Sequence, residues 1–507
     1  MDQTYLGLEL GSTRIKAVAI DTQHRPVSTG EFTWSSVYEN GIWTYSLDQL
    51  FSGIQTALSG ISHRESIAAM GISGMMHGYL AFDKDWNLLV PFRTWQNTIT
   101  AQAADALTEL FNFNIPQRWS IAHLYQAVLN QEPHVPQIAH ITTLAGYVHF
   151  MLTGVNAMGV GEASGMFPIC SVTGNYDEAM LCKFEELTKD MPWNIRDLLP
   201  KVLTAGDSAG VLTAQGAQLI NNLLPVGIRM APPEGDAGTG MTATNAVAPR
   251  TGNVSAGTSI FSMVVLEKPL KKVYQEIDLV TTPGGRTVAM VHCNNCTNDL
   301  NAWFGVLKET AKLFGAEPDT NTLYTKLFEL ALSGDPDCGN VLTYNYVAGE
   351  GITHLDEGRP MVVRRPDSRF NLANIIRSQL YATMATLKIG MDILAEEDVT
   401  IDRMTGHGGL FKTPVVGQKF MAAACNAPIS CMETAGEGGP YGMALLTAYM
   451  MNKGQQESLE DYLDQHVFVD ASVTVQMPDA ETVAGFRSYM AHYIDCLEAQ
   501  RAAVEHF

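Results

Sequence analysis

The sequence has no apolar run approaching the ~18 residues that a membrane-spanning helix needs, so no segment is expected to cross a bilayer. Basic residues are few. There are 32 lysines and arginines against 53 aspartates and glutamates, a formal charge of −21, which argues against a nucleic-acid surface or an anionic-membrane surface. Cysteines number 8 in 507 residues. Cys293-Asn-Asn-Cys296 is a lone C-x-x-C with no second pair and no histidine at zinc spacing, so it reads as two reduced, buried thiols. Also missing are a G-x-x-x-x-G-K-[ST] phosphate loop, a short-period repeat and a low-complexity tract. A strand-like run opens at once, so no leader peptide is expected and a cytoplasmic protein is. With 46% apolar and 17% charged residues the chain has the makings of folded cores, and at 507 residues it is too long for one. Two large α/β lobes fit, divided near Val247-Ala248-Pro249-Arg250 into residues 1–247 and 248–507.

Two short turns stand out. Leu10-Gly11-Ser12-Thr13 lies between the strand-like runs 4–10 and 15–21. Ala256-Gly257-Thr258-Ser259 lies within a second strand-rich stretch, 253–266. Each reads as strand, tight turn, strand. Such turns present backbone N–H groups and short hydroxyls to one point, as a phosphate chain requires. Strand alternation puts Arg14 and Lys16 on one side, able to meet phosphate or to form a solvated face. Glu9 precedes the first turn on an otherwise apolar strand, where a carboxylate could hold Mg²⁺ through water.

Further elements follow from periodicity. A third strand is expected over 27–34 and a helix over 47–59 with Ser46 as its cap. Strands are expected over 67–73 and 79–83, and helices over 101–111, 118–131, 142–152, 176–188, 210–222 and 237–245. In the second half the pattern predicts a strand over 286–293, helices over 297–315 and 371–395, a strand over 402–405, and helices over 413–425 and 439–452.

Other residues carry possible chemistry. Asp236 sits between glycines before a helix; it reads either as a helix cap or as a general base that takes a proton from an attacking hydroxyl. Met76-His77-Gly78 ends a strand, and His77 reads either as a buried structural histidine or as a sugar contact. Trp95-Gln96-Asn97 adds an aromatic face and two amides, a combination suited to a polyol. Gly406-His407-Gly408-Gly409, followed by Lys412, is a strand-to-helix turn that would let a flat base and ribose approach backbone. The glycine-rich corner Glu437-Gly438-Gly439-Pro440-Tyr441-Gly442 would let its helix pack tightly.

Taken in order, Gly7-Leu8-Glu9-Leu10-Gly11-Ser12-Thr13, Ser73-Gly74-Met75-Met76-His77-Gly78, Trp95-Gln96-Asn97, Glu162-Ala163-Ser164-Gly165, Gly235-Asp236-Ala237, Gly257-Thr258-Ser259, Gly349-Glu350 and Gly406-His407-Gly408-Gly409 resemble the FGGY carbohydrate kinases. The resemblance runs from Leu6 to about Met450. It implies an α/β fold of two ribonuclease-H-like, actin-like ATPase lobes with a cleft between them. It implies ATP and Mg²⁺ as cofactors, with Asp236 as base and Glu9 and Asp236 on the metal. Gly11, Ser12, Thr13, Arg14, Lys16, Gly257, Thr258 and Ser259 would serve the phosphates, and Gly408, Gly409 and Lys412 the rest of the nucleotide. Met76, His77, Gly78, Trp95, Gln96, Asn97 and Asp236 would line the sugar.

The Met-His pair is similar to that of D-xylulose kinases, whereas Ala237 is what ribulose kinases tend to carry. A ketopentose kinase is therefore the expectation, D-xylulose first. L-ribulose or another polyol, or a catalytically weak nucleotide-binding regulator, are the alternatives. The expected partners are a small sugar and, left open by the sequence, a second copy of the chain in a homodimer.

Overall fold

The computed structural model describes residues 3–413, 415–432 and 438–507, so Glu437 of the glycine-rich corner lies outside the described residues. The chain forms two compact units, each assembled from three segments. The first comprises Met1–Pro249, Asp278–Val288 and Glu437–Asp470, and the second Arg250–Ile277, Ala289–Gly436 and Ala471–Phe507. The chain first crosses to the second unit after Pro249, and two later segments return to the first, so neither unit is one continuous stretch.

In the first unit, Thr4–Leu10 and Arg14–Ile20 pair antiparallel, closing at Leu10 opposite Ile15. The Gly11 N–H donates to the Arg14 carbonyl at 3.0 Å across the turn. Pro26–Thr33 extends one edge, and Ile67–Gly74 runs parallel to the first strand on the other side. Arg229–Met230 and Glu234–Gly235 pair parallel with Ile67–Gly74, which delivers Asp236 to the end of that strand. Leu6, Leu8 and Leu10 face a core cluster shared with Ile54 and Leu58 of the helix Leu47–Ser59. Each fully buried leucine of this kind contributes roughly 1.5–3 kcal/mol of transfer free energy. The opposite face meets the helix Gly438–Asn452, where a Cβ on Gly7 would lie 2.5 Å from the Ala444 nitrogen. Glycine at position 7 is what lets that helix lie directly on the strand.

The expected helix boundaries hold within a few residues, with two differences. Ser46 precedes the helix Leu47–Ser59 in extended conformation but makes no side-chain cap bond. The helix expected over 210–222 shortens to Ala214–Leu219. Val211 is drawn into a bridge with Arg229, the Leu212 N–H donates to the Ile228 carbonyl, and Thr213 caps from outside by accepting from the Gly216 N–H at 3.0 Å.

The second unit repeats the plan. Thr251–Ala256 and Ile260–Val265 form an antiparallel hairpin, and Arg403–His407 runs parallel to its first strand. Ile429–Met432 continues parallel and Val473–Gln476 closes the edge antiparallel. Leu372–Glu396 spans 25 residues, and the buried Met391 on it accepts from the Ser262 hydroxyl at 3.3 Å. Among the described residues of this unit, the α-helices Thr320–Ala331, Ala480–Asp495 and Leu497–His506 lie outside the expected set. Among the described residues no helix is long and apolar enough to cross a membrane. All eight cysteines are free, and Cys293 and Cys296 are buried.

Candidate active site

Asp236 is the first residue of the helix Asp236–Ala243, with Gly235 at the N-cap position, and no side chain caps this helix. Its carboxylate is engaged instead from the Met76-His77-Gly78 loop, where the Met76 N–H donates to Asp236 Oδ1 at 3.2 Å. The aspartate is thus held against the loop that the sequence marks for the sugar. His77 and Gly78 both have positive φ, 70° and 86°, so the loop turns sharply there. His77 is 4% exposed, and its Nδ1 lies 3.2 Å from the Gly165 carbonyl. Its ring stacks on Trp119 at 6.1 Å. Gly165 belongs to the Glu162-Ala-Ser-Gly165 motif. A Cβ there would come within 2.6 Å of His77 Nδ1 and 2.8 Å of Met76 Cε, so this glycine admits the Met-His loop.

Around Asp236 lie three further acids. Burial raises Asp236 from 3.8 to about 6. Burial, and then the charge of Asp236, raise Glu9 to about 8, against the opposing pull of Lys16 and Arg14. The Glu9 carboxylate occupies the space where a Cβ on Gly439 would stand, with Thr239 Oγ1 at 3.0 Å from the same point. Glycine at 439 therefore makes room for Glu9. Glu162 is fully buried and raised well above the usual carboxylate range, first by burial and then by the charges of Asp236 and Glu234. Thr143 faces its carboxyl, while neither Glu162 oxygen meets a partner at hydrogen-bonding geometry. Glu234 is pushed up to about 8 by burial, and its Oε2 accepts from the Glu162 N–H at 3.0 Å. Glu234 was not singled out in the sequence; its only signal there is an acid among Pro232, Pro233 and Gly235.

Two coupled carboxylates with hard oxygen donors fit a divalent cation that keeps most of its ligands as water and phosphate. An all-protein cage does not fit, since no three-residue His/Cys/Asp/Glu cluster with metal-holding geometry exists among the described residues.

The remaining residues expected on the sugar side divide. Trp95 packs partly buried against the core cluster, and Gln96 Oε1 is buried without a hydrogen-bond partner. Asn97 is 3% exposed and its amide is committed elsewhere. Its Nδ2 donates to the carbonyls of Trp43 at 2.8 Å and Thr94 at 3.0 Å, and its Oδ1 accepts from the Trp43 N–H at 2.8 Å.

The two turns differ in their closure: the Gly11 N–H donates to the Arg14 carbonyl, whereas the Gly257 N–H donates to the Ser259 carbonyl, one residue sooner. Ser12, Thr13 and Arg14 are exposed, Lys16 is partly buried opposite Glu9 in the hairpin register, and Arg14 pairs with Glu31 at 3.0 Å. In the second unit Thr258 is exposed, and a Cβ on Gly257 would find no atom within 4 Å. Gly409 is equally open, whereas Gly408 has φ +103° and its Cβ would collide with the Ala256 carbonyl, so that glycine is required by the fold.

Beside Gly409 and Lys412 the second unit holds a cavity of about 530 Å³, lined also by Thr297, Asn301, Tyr324 and Phe328. Tyr324 and Phe328 come from the unforeseen helix Thr320–Ala331, and the Tyr324 hydroxyl donates to Asn301 Oδ1 at 2.8 Å. His407, in the adjoining strand, is lowered to about 4 by burial. Glu350 is raised to about 7 by burial and organises the loop before Thr297, accepting from the backbone N–H groups of Asn294 at 3.0 Å and Asn295 at 3.2 Å.

Residues 4–230 match the N-terminal domain of the FGGY family of carbohydrate kinases, and residues 252–451 its C-terminal domain. A xylulose kinase of Haemophilus influenzae is 21% identical over 476 residues, covering 90% of this chain and 92% of that protein. Among solved structures, the xylulose kinase of Brucella ovis aligns with TM-score 0.79 at 18% identity, covering 99% of this chain and all of the other. A gluconate kinase of Lactobacillus acidophilus aligns with TM-score 0.81 at 16% identity over 98% of both chains. The fold is the two-domain actin-like ATPase fold of these enzymes. The chain belongs to the FGGY family of carbohydrate kinases and is an ATP-using sugar kinase.

Proposed function

We propose that this kinase transfers the γ-phosphoryl group of ATP to a hydroxyl of a ketopentose, D-xylulose first, with Asp236 as the general base. The observation that carries the reading is the Asp236 carboxylate held at 3.2 Å by the Met76 N–H, at the lip of the Met76-His77-Gly78 loop. Held up to about 6, Asp236 is ionised at neutral pH yet more basic than an ordinary aspartate. It accepts the proton of the substrate hydroxyl as that oxygen bonds to the γ-phosphorus. The bond from phosphorus to the β–γ bridging oxygen breaks, and ADP leaves with the electron pair. The buried, unpartnered Gln96 Oε1 accepts from a sugar hydroxyl beside the Trp95 face.

The backbone N–H groups and hydroxyls of Ser12, Thr13, Thr258 and Ser259 serve the phosphates. Arg14 is 57% exposed in its pair with Glu31, an exposed ion pair worth only ~0–1 kcal/mol, so it is able to exchange that partner for phosphate. The cavity of about 530 Å³ beside Gly409 and Lys412 has the size of a small-ligand site and suits the adenosine. Glu9 and Asp236 would hold Mg²⁺ through water, which neutralises phosphate charge when bound. The xylulose kinases among the relatives support the choice of sugar. The eight free cysteines support a cytoplasmic location.

ADP release, coupled to a reporter and measured with D-xylulose, L-ribulose, gluconate and glycerol, tests the reading. The expected result is the highest kcat/KM on D-xylulose. A preference for L-ribulose would replace the sugar and keep the mechanism. No stimulation by any sugar above the hydrolysis by water would instead favour a nucleotide-binding regulator.

A further inference from the structure

We infer that residues Trp34 to Tyr45 form a strap that sets the first phosphate turn and ties it to the sugar loop, with Trp34, Tyr45 and Asn97 as positioning residues. The proposal rests on the kinase reading above and concerns residues to which that reading gives no task. Val37–Glu39 and Ile42–Thr44 pair as a short hairpin projecting from the first unit. Its two roots grip the turn. The Trp34 indole Nε1–H donates to the Gly11 carbonyl at 2.7 Å, and the Tyr45 hydroxyl donates to the Ser12 carbonyl at 2.7 Å. The Trp34 backbone N–H donates to the Thr13 carbonyl at 3.2 Å.

A trans peptide unit points its C=O and N–H in opposite directions. Anchoring the carbonyls of Gly11 and Ser12 on the aromatic side therefore turns the N–H groups of Ser12 and Thr13 to the other side. Three successive carbonyls are fixed in this way. The turn is preorganised as a row of donors rather than left to find that conformation when an anion arrives.

The same strap reaches both sugar-side segments, the one holding Trp95-Gln96-Asn97 and the Met76-His77-Gly78 loop. At the hairpin, Trp43 exchanges backbone hydrogen bonds with the Asn97 amide at 2.8 Å in both directions, and the Thr94 N–H donates to the Trp43 carbonyl at 3.2 Å. At the root, Trp34 and Tyr45 lie ring to ring at 4.6 Å, and Tyr45 and Phe92 at 6.5 Å. Phe92 in turn backs the Met-His loop, because a Cβ on Gly78 would lie 2.8 Å from Phe92 Cε2. Trp34, Tyr45 and Phe92 are 6%, 3% and 1% exposed, so this chain of rings is packed and has little freedom to absorb a displacement. Asn97, expected on the sugar, is instead the clasp between loop and strap.

The test uses Trp34→Phe, Tyr45→Phe and their combination, which keep an aromatic ring at each position and remove the two donors; Tyr45→Phe does so without loss of ring volume, Trp34→Phe with the loss of part of the indole. Hydrogen exchange at the Gly11 and Trp34 amides, which donate to the Arg14 and Thr13 carbonyls, is the first readout in the nucleotide-free protein, and it needs neither sugar nor ATP. Exchange at least ~5-fold faster in each single variant is expected, the equivalent of one lost hydrogen bond. Unchanged exchange in both would overturn the proposal. If the double variant fails to fold, the single ones decide. Calorimetry with a non-hydrolysable ATP analogue and Mg²⁺ is the second, with affinity ~5-fold weaker per donor removed and the KM for D-xylulose within about twofold of wild type. Asn97→Ala separates the clasp from the grip. It should leave nucleotide affinity alone but abolish any tightening of the nucleotide by D-xylulose. Tightening that persists in full would overturn the link to the sugar loop. Absence of wild-type turnover on every sugar would defeat the kinase reading, while the exchange measurement would still judge the strap.

Discussion

The longer first glycine turn and the shorter second one are anchored by different means. In the first, the carbonyls of Gly11 and Ser12 are fixed by two aromatic side chains, Trp34 and Tyr45. In the second, the Gly257 carbonyl accepts from the Thr297 N–H at 3.2 Å and the Thr297 hydroxyl at 2.7 Å, and the Thr258 carbonyl accepts from the Cys296 N–H at 3.0 Å. Those donors belong to the start of the helix Thr297–Leu313, whose first N–H groups have no partner within the helix. One turn is thus anchored by side chains that substitution removes, the other mostly by backbone that it does not. The glycines differ too. A Cβ on Gly11 would press on the Arg14 carbonyl at 3.0 Å, whereas one on Gly257 would meet nothing. Glycine at 11 serves the hairpin itself, and glycine at 257 answers to no neighbour in the fold.

The largest expected effect lies beside the first turn and leaves both turns intact. Asp236→Asn should lower kcat by about 10²–10⁴-fold with nucleotide affinity within a few-fold of wild type, read by steady-state kinetics and calorimetry. A kcat within a few-fold of wild type would remove Asp236 from the role of base. The pH profile sharpens the same point. The base works only when ionised, and Asp236 is held up to about 6 by burial. Log kcat/KM should therefore rise with a slope near one below about pH 6 and level off above it, a roughly tenfold loss per unit of acidification. An acid limb near pH 4 would mean the carboxyl is not desolvated in the working enzyme.

Gly11→Ala separates the two glycines. It should lower the melting temperature of the protein by several degrees, since a crowded Cβ costs about 1–3 kcal/mol, where Gly257→Ala leaves it unchanged. Equal melting temperatures would erase the distinction. The smallest effect is expected from Thr297→Val. It removes the hydroxyl bond to the Gly257 carbonyl and keeps the backbone one, so nucleotide affinity should fall by only ~2–5-fold. A loss larger than that of Tyr45→Phe would invert the comparison between side-chain and backbone anchoring.

Both hairpins were legible because a glycine with two small hydroxyl residues interrupts strongly apolar runs, and nothing distant is needed to form such a turn. The long helix at Leu372–Glu396 was legible from its periodicity. The interleaving of the units was not, because segments 278–288 and 437–470 join the first unit through contacts distant in sequence. The carboxyl pair of Glu162 and Glu234 was hidden for the same reason: 72 positions separate the acids, and it is burial together that gives them their character. Trp34 and Tyr45 carry no signal in the sequence, since nothing local says which carbonyl an indole or phenol will meet. Asn97 looked like a sugar amide because its neighbours Trp95 and Gln96 do. Its actual partner, the backbone of Trp43, lies 54 residues earlier.

The central claim is that glycine stands at position 257 for the sake of a phosphate and not of the fold. Calorimetry of a non-hydrolysable ATP analogue with Mg²⁺ on Gly257→Val, alongside its melting curve, tests this most directly. The account predicts nucleotide binding weakened at least ~10-fold with an unaltered melting temperature, because branched carbons would fill space that the protein leaves empty. Wild-type affinity in a normally folded variant would contradict it.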